Sequence, residues 1–119
     1  MRKNNDKLVT THAAAEIHLS FGAARFNEET TRNAIQKQVD TFGNLTLFVG
    51  KSKKTSPTRR SIMIHGDWHK DSSSLSLSKW STVISNVARA IVGNVEGVKD
   101  CKLVIIDRDY GTKSEFKIS

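Results

Sequence analysis

The chain has 119 residues, 37% of them hydrophobic and 26% charged, and its formal net charge is +7 at pH 7. This length suits a single core, and the balance of residue types excludes both a disordered chain and one dominated by membrane spans. The single cysteine, Cys101, excludes an intrachain disulfide and a zinc site built on cysteine pairs.

The same features predict a location. A chain with one cysteine and no uninterrupted apolar stretch of signal-peptide length is typical of a reducing compartment. We therefore expect a cytoplasmic protein, or a nuclear one in a eukaryote, with no membrane partner.

The chain begins with a polar tail that precedes the first predicted strand. Residues 1–7 are predicted to be disordered, which leaves 8–119 as a single α+β domain. Over 15–21 apolar residues alternate with polar ones, and this period of two indicates a half-buried strand. The alanines just before it favour helix by propensity, so the strand is predicted to begin only at residue 15.

A helix is predicted over 28–42. Asn27 can cap its first turn, where Glu28 and Glu29 lie favourably against the positive end of the helix dipole. Gly43 supplies a left-handed stop, because glycine adopts a positive φ without strain.

A hairpin with a basic tip follows. Strands are predicted over 45–49 and 61–69, each with apolar residues on one face, and the segment 51–60 is predicted to be the loop between them. This loop carries five positive charges and no negative one, which is most of the net charge of the chain. The five residues are Lys51, Lys53, Lys54, Arg59 and Arg60.

The last third of the chain predicts a helix and two strands. A serine run, 72–78, offers caps for a helix over 78–92, whose wide apolar stripe marks it as the main core helix. Residues 103–106 are apolar on both faces, as expected of an interior strand. A short last strand around Phe116 and Ile118 is predicted to lie at an edge of the sheet.

The predicted order is β-α-β-β-α-β with one extra C-terminal strand. A ferredoxin-like sheet with both helices on one face buries two amphipathic helices on half-polar strands, so we predict an α+β fold of that kind. An exposed last strand could pair with its symmetry mate, which makes a homodimer a further hypothesis.

The basic loop indicates a polyanionic partner. Clustered lysine and arginine side chains attract phosphates whatever the base sequence, so nucleic acid, either DNA or RNA, is the expected partner. Pro57 would stiffen the tip of the hairpin. The alternative is a solvated loop whose charges keep an exposed hairpin from aggregating.

The third strand does not predict a platform for stacked bases. RNA-recognition modules share the predicted element order, but they stack bases on aromatic residues of this strand. Here the outward positions are Met63, His65, Asp67 and His69, and none of them is Phe or Tyr.

His65, Asp67 and His69 are nevertheless the most enzyme-like group in the chain. Their spacing puts them on one strand face, but the Cα atoms of the two histidines would be roughly 13 Å apart, which argues against one shared metal ion. Histidines there could transfer protons on RNA, whereas the simpler interpretation is a polar outward face. His12 and His18 are far away in sequence and are not expected to join them.

Two further candidates have structural interpretations. Asp107 and Asp109 could bind Mg²⁺ but are typical turn residues beside Gly111. Cys101 has no base partner nearby in the sequence, so a buried thiol is expected rather than a nucleophile.

Three functions are consistent with these features. The leading hypothesis is a small, non-enzymatic nucleic-acid-binding protein that contacts phosphates through 51–60 and needs neither cofactor nor metal. The second is a metal-independent ribonuclease that uses His65 or His69. The third is a phage or mobile-element inhibitor or adaptor that docks on an acidic protein surface.

Overall fold

A computed structural model describes residues 9–43 and 45–119, so the predicted tail at 1–7 lies outside the described residues. These residues form two helices and six strands. They are β1 (His12–Gly22), α1 (Glu28–Asp40), β2 (Phe48–Val49), β3 (Lys53–Ser56), β4 (Arg59–His69), α2 (Leu77–Asn94), β5 (Val98–Asp107) and β6 (Lys113–Lys117).

The strands form one antiparallel sheet, which confirms the predicted α+β class. The strand order is β2-β4-β1-β5-β6, and β3 pairs with β4 further along the same edge. β1 lies at the centre, paired along most of its length with β4 on one side and β5 on the other. The first strand is thereby paired with a strand from the last quarter of the chain.

β1 is longer than the sequence predicts, because tertiary pairing overrides local propensity. The alanines at 13–15 favour helix in isolation, yet all three are strand residues and are buried. Each is paired on both sides by neighbouring strands, and small side chains let the covering residues approach closely.

α1 forms where the sequence predicts it and ends slightly earlier, at Asp40. The side chain of Asn27 accepts a hydrogen bond from the Thr30 amide at 2.9 Å, which satisfies one of the free amides of the first turn. Gly43 follows the helix with a φ of +86°, the left-handed conformation that the stop requires.

The basic segment is a hairpin as predicted, but the prediction of a ten-residue loop at 51–60 is wrong. Most of the segment is strand, and the tip is the two-residue turn Pro57–Thr58 between β3 and β4. The pairing of β3 with β4 reaches Ser56 and Arg59 at the tip, with one shift of register between Lys54 and Ser56.

β2 and β3 together act as one interrupted edge strand, and β2 is shorter than the predicted strand 45–49. Thr46 has a φ of 54°, which breaks the extended conformation before β2. Between the two strands the Gly50 amide still donates to the Met63 carbonyl at 2.9 Å. The guanidinium of Arg32 on α1 donates to the carbonyls of Val49 and Gly50 and holds this junction.

α2 confirms the predicted core helix. Ser76 caps it by accepting a hydrogen bond from the Lys79 amide at 3.2 Å. Just before the cap, the Trp68 indole on β4 donates to the Leu75 carbonyl at 2.9 Å, which fixes the serine-rich connection against the sheet.

The sheet has one covered face and one open face. Both helices pack on the covered face, where apolar residues of β1, β4 and β5 meet the buried residues of α1 and α2 in one hydrophobic cluster. On the other face, only a small apolar group is buried, namely Ala14, Val104 and Ile106. In the described part of the chain, no helix packs against this second face, which we call the open face.

β5 and β6 take the interior and edge positions that the sequence predicts, but β5 is longer than the predicted 103–106, and Ile118 lies beyond the end of β6. β5 is an interior strand with buried residues on both faces, and β6 is the outer edge strand with all five residues exposed. Neither helix of the described residues is long and apolar enough to cross a bilayer.

Candidate nucleic-acid interface on the open face

All four histidines of the chain lie on the open face. Alternate residues of β1 and β4 point to this side, and the register places His12 opposite His69, Glu16 opposite His65, and His18 opposite Met63. The outward orientation of Met63, His65, Asp67 and His69 was predicted from the sequence, and the alternating burial of β4 confirms it.

Asp67 joins two of these histidines from different strands. Its carboxylate lies 2.9 Å from Nε2 of His65 and 3.2 Å from Nε2 of His12. The ring of His69 stacks on that of His12 with centroids 4.1 Å apart. We call these residues, His12, His65, Asp67 and His69, the histidine cluster.

The expectation that His12 would not join the predicted group on β4 is therefore wrong. β1 pairs with β4 over the full length of both strands, which brings His12 into the cluster. His18 also lies on the open face, where its Nε2 is 2.9 Å from the Glu16 carboxylate, but it does not contact Asp67. This pairing is non-local, and no short-range pattern in the sequence specifies it.

The electrostatics of the cluster favour an ionised Asp67. Partial burial by itself would raise the pKa of this carboxyl, but the hydrogen bonds with His65 and His12 outweigh that effect, and the pKa is lowered. A carboxylate that stays charged near neutral pH orients both imidazole rings.

Two large apolar side chains are exposed next to the cluster. Phe48 is 69% exposed and Met63 is 40% exposed. Phe48 on β2 is the register partner of His65, so its ring lies on the open face beside the cluster. Phe48 lies outside β4 and was therefore not predicted as a stacking residue, although its alternation with Leu47 and Val49 indicates an outward position.

The five predicted phosphate-binding residues do not form one patch, because adjacent strand residues point to opposite faces. Lys53 is the register partner of Ser61, on the open face, and Arg59 donates there to Ser20 at 2.9 Å and to Asp100 at 3.2 Å. Two of the five basic side chains thus flank the open face.

The other three lie toward the helices. Arg60 lies over the ring of Phe26 at 5.9 Å, and Lys54 is its register partner. Lys51 is close to Glu28, whose pKa is lowered mainly by a hydrogen bond from Ser52 and further by nearby cations. These cations are separated from the open face by the sheet itself.

Additional cations reach the open face from the other edge of the sheet. Lys102 on β5 is the register partner of His18 and of Lys117 on β6. Lys102 also lies 3.5 Å from the Glu115 carboxylate, an exposed pair that contributes little to stability. The sequence prediction did not include these lysines, because they are scattered along the chain.

A cavity of about 610 Å³ adjoins the histidine cluster. It lies beside the part of β4 that extends beyond its pairing with β2, and its lining includes Phe48, His65, Asp67, His69 and the serines at 72–74. The cavity brings an exposed aromatic ring, imidazoles and serine side chains to one place.

The remaining candidates are structural. Asp107 accepts hydrogen bonds from the amides of Asp109 and Tyr110, as turn residues do. Asp109 accepts from the amide and the hydroxyl of Thr11, which ties this turn to the residues before β1. Cys101 is buried, and burial raises the pKa of its thiol to about 11. Over residues 9–43 and 45–119, no group of three or more His, Cys, Asp or Glu side chains is arranged to hold a metal ion.

No protein-family model, curated protein or solved structure matches this chain.

Proposed function

We propose that this protein binds single-stranded nucleic acid on the open face of its sheet. The observation that supports this most is that exposed Phe48 and Met63 lie among cations on a face that the helices leave uncovered. Phosphates are attracted by the cations, and bases stack on the aromatic ring.

A ferredoxin-like arrangement of the strands and helices is consistent with binding on the open face. We propose a ferredoxin-like β-α-β-β-α-β arrangement in which β2 and β3 count as one interrupted strand and β6 is the additional strand; the element order and the antiparallel sheet support this. Domains of this order that recognise RNA use the sheet face opposite the helices as their platform. We propose the same arrangement here, with the helices on one face of the sheet and nucleic acid bound on the other.

The features of the open face favour a single strand over a duplex. A duplex stacks its bases on one another and presents mainly phosphates, so an exposed aromatic ring gains little from it. A single strand offers its base faces to Phe48 and its phosphates to Lys53 and Arg59 at the same time.

The proposed role of the hairpin is narrower than the sequence suggested. Lys53 and Arg59 extend the open face at one end, whereas Lys51, Lys54 and Arg60 lie toward the helices and are not part of the proposed surface. The hairpin therefore contributes part of the phosphate binding, and Lys102 and Lys117 contribute on the other side of the sheet.

A comparison of two phenylalanine variants tests the proposal. Phe48 and Phe116 are both exposed, but Phe116 is the register partner of Leu103 and lies on the helix side of the sheet. Loss of base stacking in Phe48→Ala should cost about 1–3 kcal/mol, or roughly 5- to 150-fold in affinity for a single-stranded oligonucleotide. Phe116→Ala should bind as the wild type does.

The measurement is fluorescence anisotropy with single-stranded and duplex RNA and DNA of one length. Equal losses in the two variants, or tighter binding of duplex than of single strand, would contradict the proposal. If no oligonucleotide binds and an affinity capture retains an acidic protein after nuclease treatment, the open face is a protein-docking surface instead.

A further inference from the structure

The cavity beside β4 has the dimensions and lining of a nucleotide subsite. Its volume of about 610 Å³ falls within the ordinary range of small-molecule pockets. Phe48 and the serines at 72–74 contribute to it together with His65, Asp67 and His69. An aromatic ring for a base and proton-transferring groups for a sugar-phosphate are therefore present in one cavity.

The histidine cluster holds its imidazoles in defined orientations. Each oxygen of the Asp67 carboxylate lies within hydrogen-bond distance of a different ring, His65 on its own strand and His12 on the neighbouring one. Nε2 of each ring is occupied by this contact, which leaves Nδ1 for a substrate. The side chains of these three residues are 31–41% exposed, so a ligand can reach them.

An acid-base site needs two imidazoles, a carboxylate that orients them and a pocket for the substrate, and all of these are present here. His65 and His12 lie on either side of the Asp67 carboxylate. Asp67 is a positioning residue because it touches the rings and not the substrate.

We infer that the histidine cluster cleaves RNA at the nucleotide held in this cavity, an activity that rests on the proposed binding of single strands. His65 removes the proton from the ribose 2′-hydroxyl, and the 2′-oxygen attacks the neighbouring phosphorus. The bond from phosphorus to the 5′-oxygen of the next nucleotide breaks as His12 donates a proton to that oxygen.

The step balances without any co-reactant. One O–P bond forms and one breaks, one proton is taken up and one is given back, and the products end in a 2′,3′-cyclic phosphate and a 5′-hydroxyl. His65 is assigned as the base because it is the register partner of Phe48, so a base stacked on Phe48 brings its ribose next to His65. DNA lacks the 2′-hydroxyl and binds without being cleaved.

The reaction needs one imidazole neutral and the other protonated, so its rate should pass through a maximum with pH. The charged and titratable groups that face the two rings are Asp67 and His69 from β4, Glu16 from β1, and Asp109 from the turn after β5. Because the Asp67 carboxylate orients both rings through their Nε2 atoms, Asp67→Asn should slow cleavage and leave the affinity for the DNA strand within about threefold of wild type.

The test uses a single-stranded RNA oligonucleotide labelled at its 5′ end, incubated with purified protein at pH 5–8 with and without EDTA. Cleavage with a cyclic-phosphate end is expected in both conditions. His65→Gln and His12→Gln should each slow it by about 100-fold or more. His18→Gln, on the same face but bound to Glu16, should change the rate by less than about threefold.

The same oligonucleotide made as DNA separates this inference from the proposed binding function. His65→Gln and His12→Gln should bind the DNA strand within about threefold of wild type, which also shows that they fold. If wild-type protein binds RNA and leaves it intact, or if His18→Gln slows cleavage as much as His65→Gln does, the catalytic assignment is wrong while the binding function stands. If neither strand binds, both proposals fail.

Discussion

The two faces of the sheet are built from alternate residues of the same strands, yet they have opposite characters. In β4, Ile62, Ile64 and Trp68 are buried against the helices, whereas Met63, His65 and Asp67 point away from them. Stability and the proposed binding therefore depend on neighbouring residues. Substitutions one position apart should therefore alter either stability or the proposed binding, without altering both.

The largest expected effect separates the faces by stability. Ile64 is 1% exposed in the core, so Ile64→Ala should lower the free energy of unfolding by about 2–5 kcal/mol. Met63→Ala, one residue away on the open face, should change it by no more than about 0.5 kcal/mol. Urea denaturation followed by circular dichroism measures both. Similar losses in the two variants would mean that the open face is covered in solution.

A second prediction concerns the thiol of the covered face. Burial raises the pKa of Cys101 from its ordinary value of 9.0 to about 11, so at pH 8 the reactive thiolate should be roughly 100-fold scarcer than in the unfolded chain. Alkylation by iodoacetamide should be slower in the native protein by at least that factor. Equal rates with and without denaturant would show that the covered face opens readily.

The raised pKa of Cys101 also makes the stability of the folded state depend on pH in the alkaline range. The protonated thiol is the form that the folded state favours, so this contribution is fully present below about pH 9 and is lost as the pH rises through the folded value near 11. Cys101→Ala should remove this part of the alkaline loss of stability.

The smallest expected effect concerns Asp67 on the open face. Its pKa is below the ordinary value of 3.8, so its ionised form stabilises the folded state above that pH, and the contribution is lost as the pH falls through the lower, folded value. Because the side chain is substantially exposed, the contribution is small. Between pH 5 and 3, the urea midpoint of Asp67→Asn should fall slightly less than that of the wild type.

A steeper loss in Asp67→Asn would contradict this linkage. It would mean that the contacts of Asp67 with His12 and His65 do not favour the charged carboxylate in solution.

Much of the fold could be predicted from local signals. Asn27 and Gly43 marked both ends of α1, and the period of two in β4 gave the correct faces, because caps and alternation are properties of a few neighbouring residues. The start of β1 was missed because its alanines are stabilised in a strand only by partners distant in sequence.

The candidate site was harder to predict for the same reason. The cluster depends on a register that places His12 against His69 across 57 positions of sequence, and nothing local specifies it. The distribution of the basic side chains of 51–60 over two faces of the sheet, however, could have been predicted from the sequence. A turn at Pro57–Thr58 continues strand alternation through Lys53, Lys54, Arg59 and Arg60, which sends adjacent charges to opposite faces.

Lys53 and Lys54 give the most direct test of the claim that the open face binds nucleic acid. They are adjacent and exposed and carry equal charge, but they point to opposite faces of the sheet. The measurement is the affinity for one single-stranded oligonucleotide as a function of salt. Loss of one phosphate contact in Lys53→Gln should reduce the slope of log K against log salt by about 0.7, and Lys54→Gln should leave it unchanged. Equal reductions in both variants, or a reduction only in Lys54→Gln, would contradict the account.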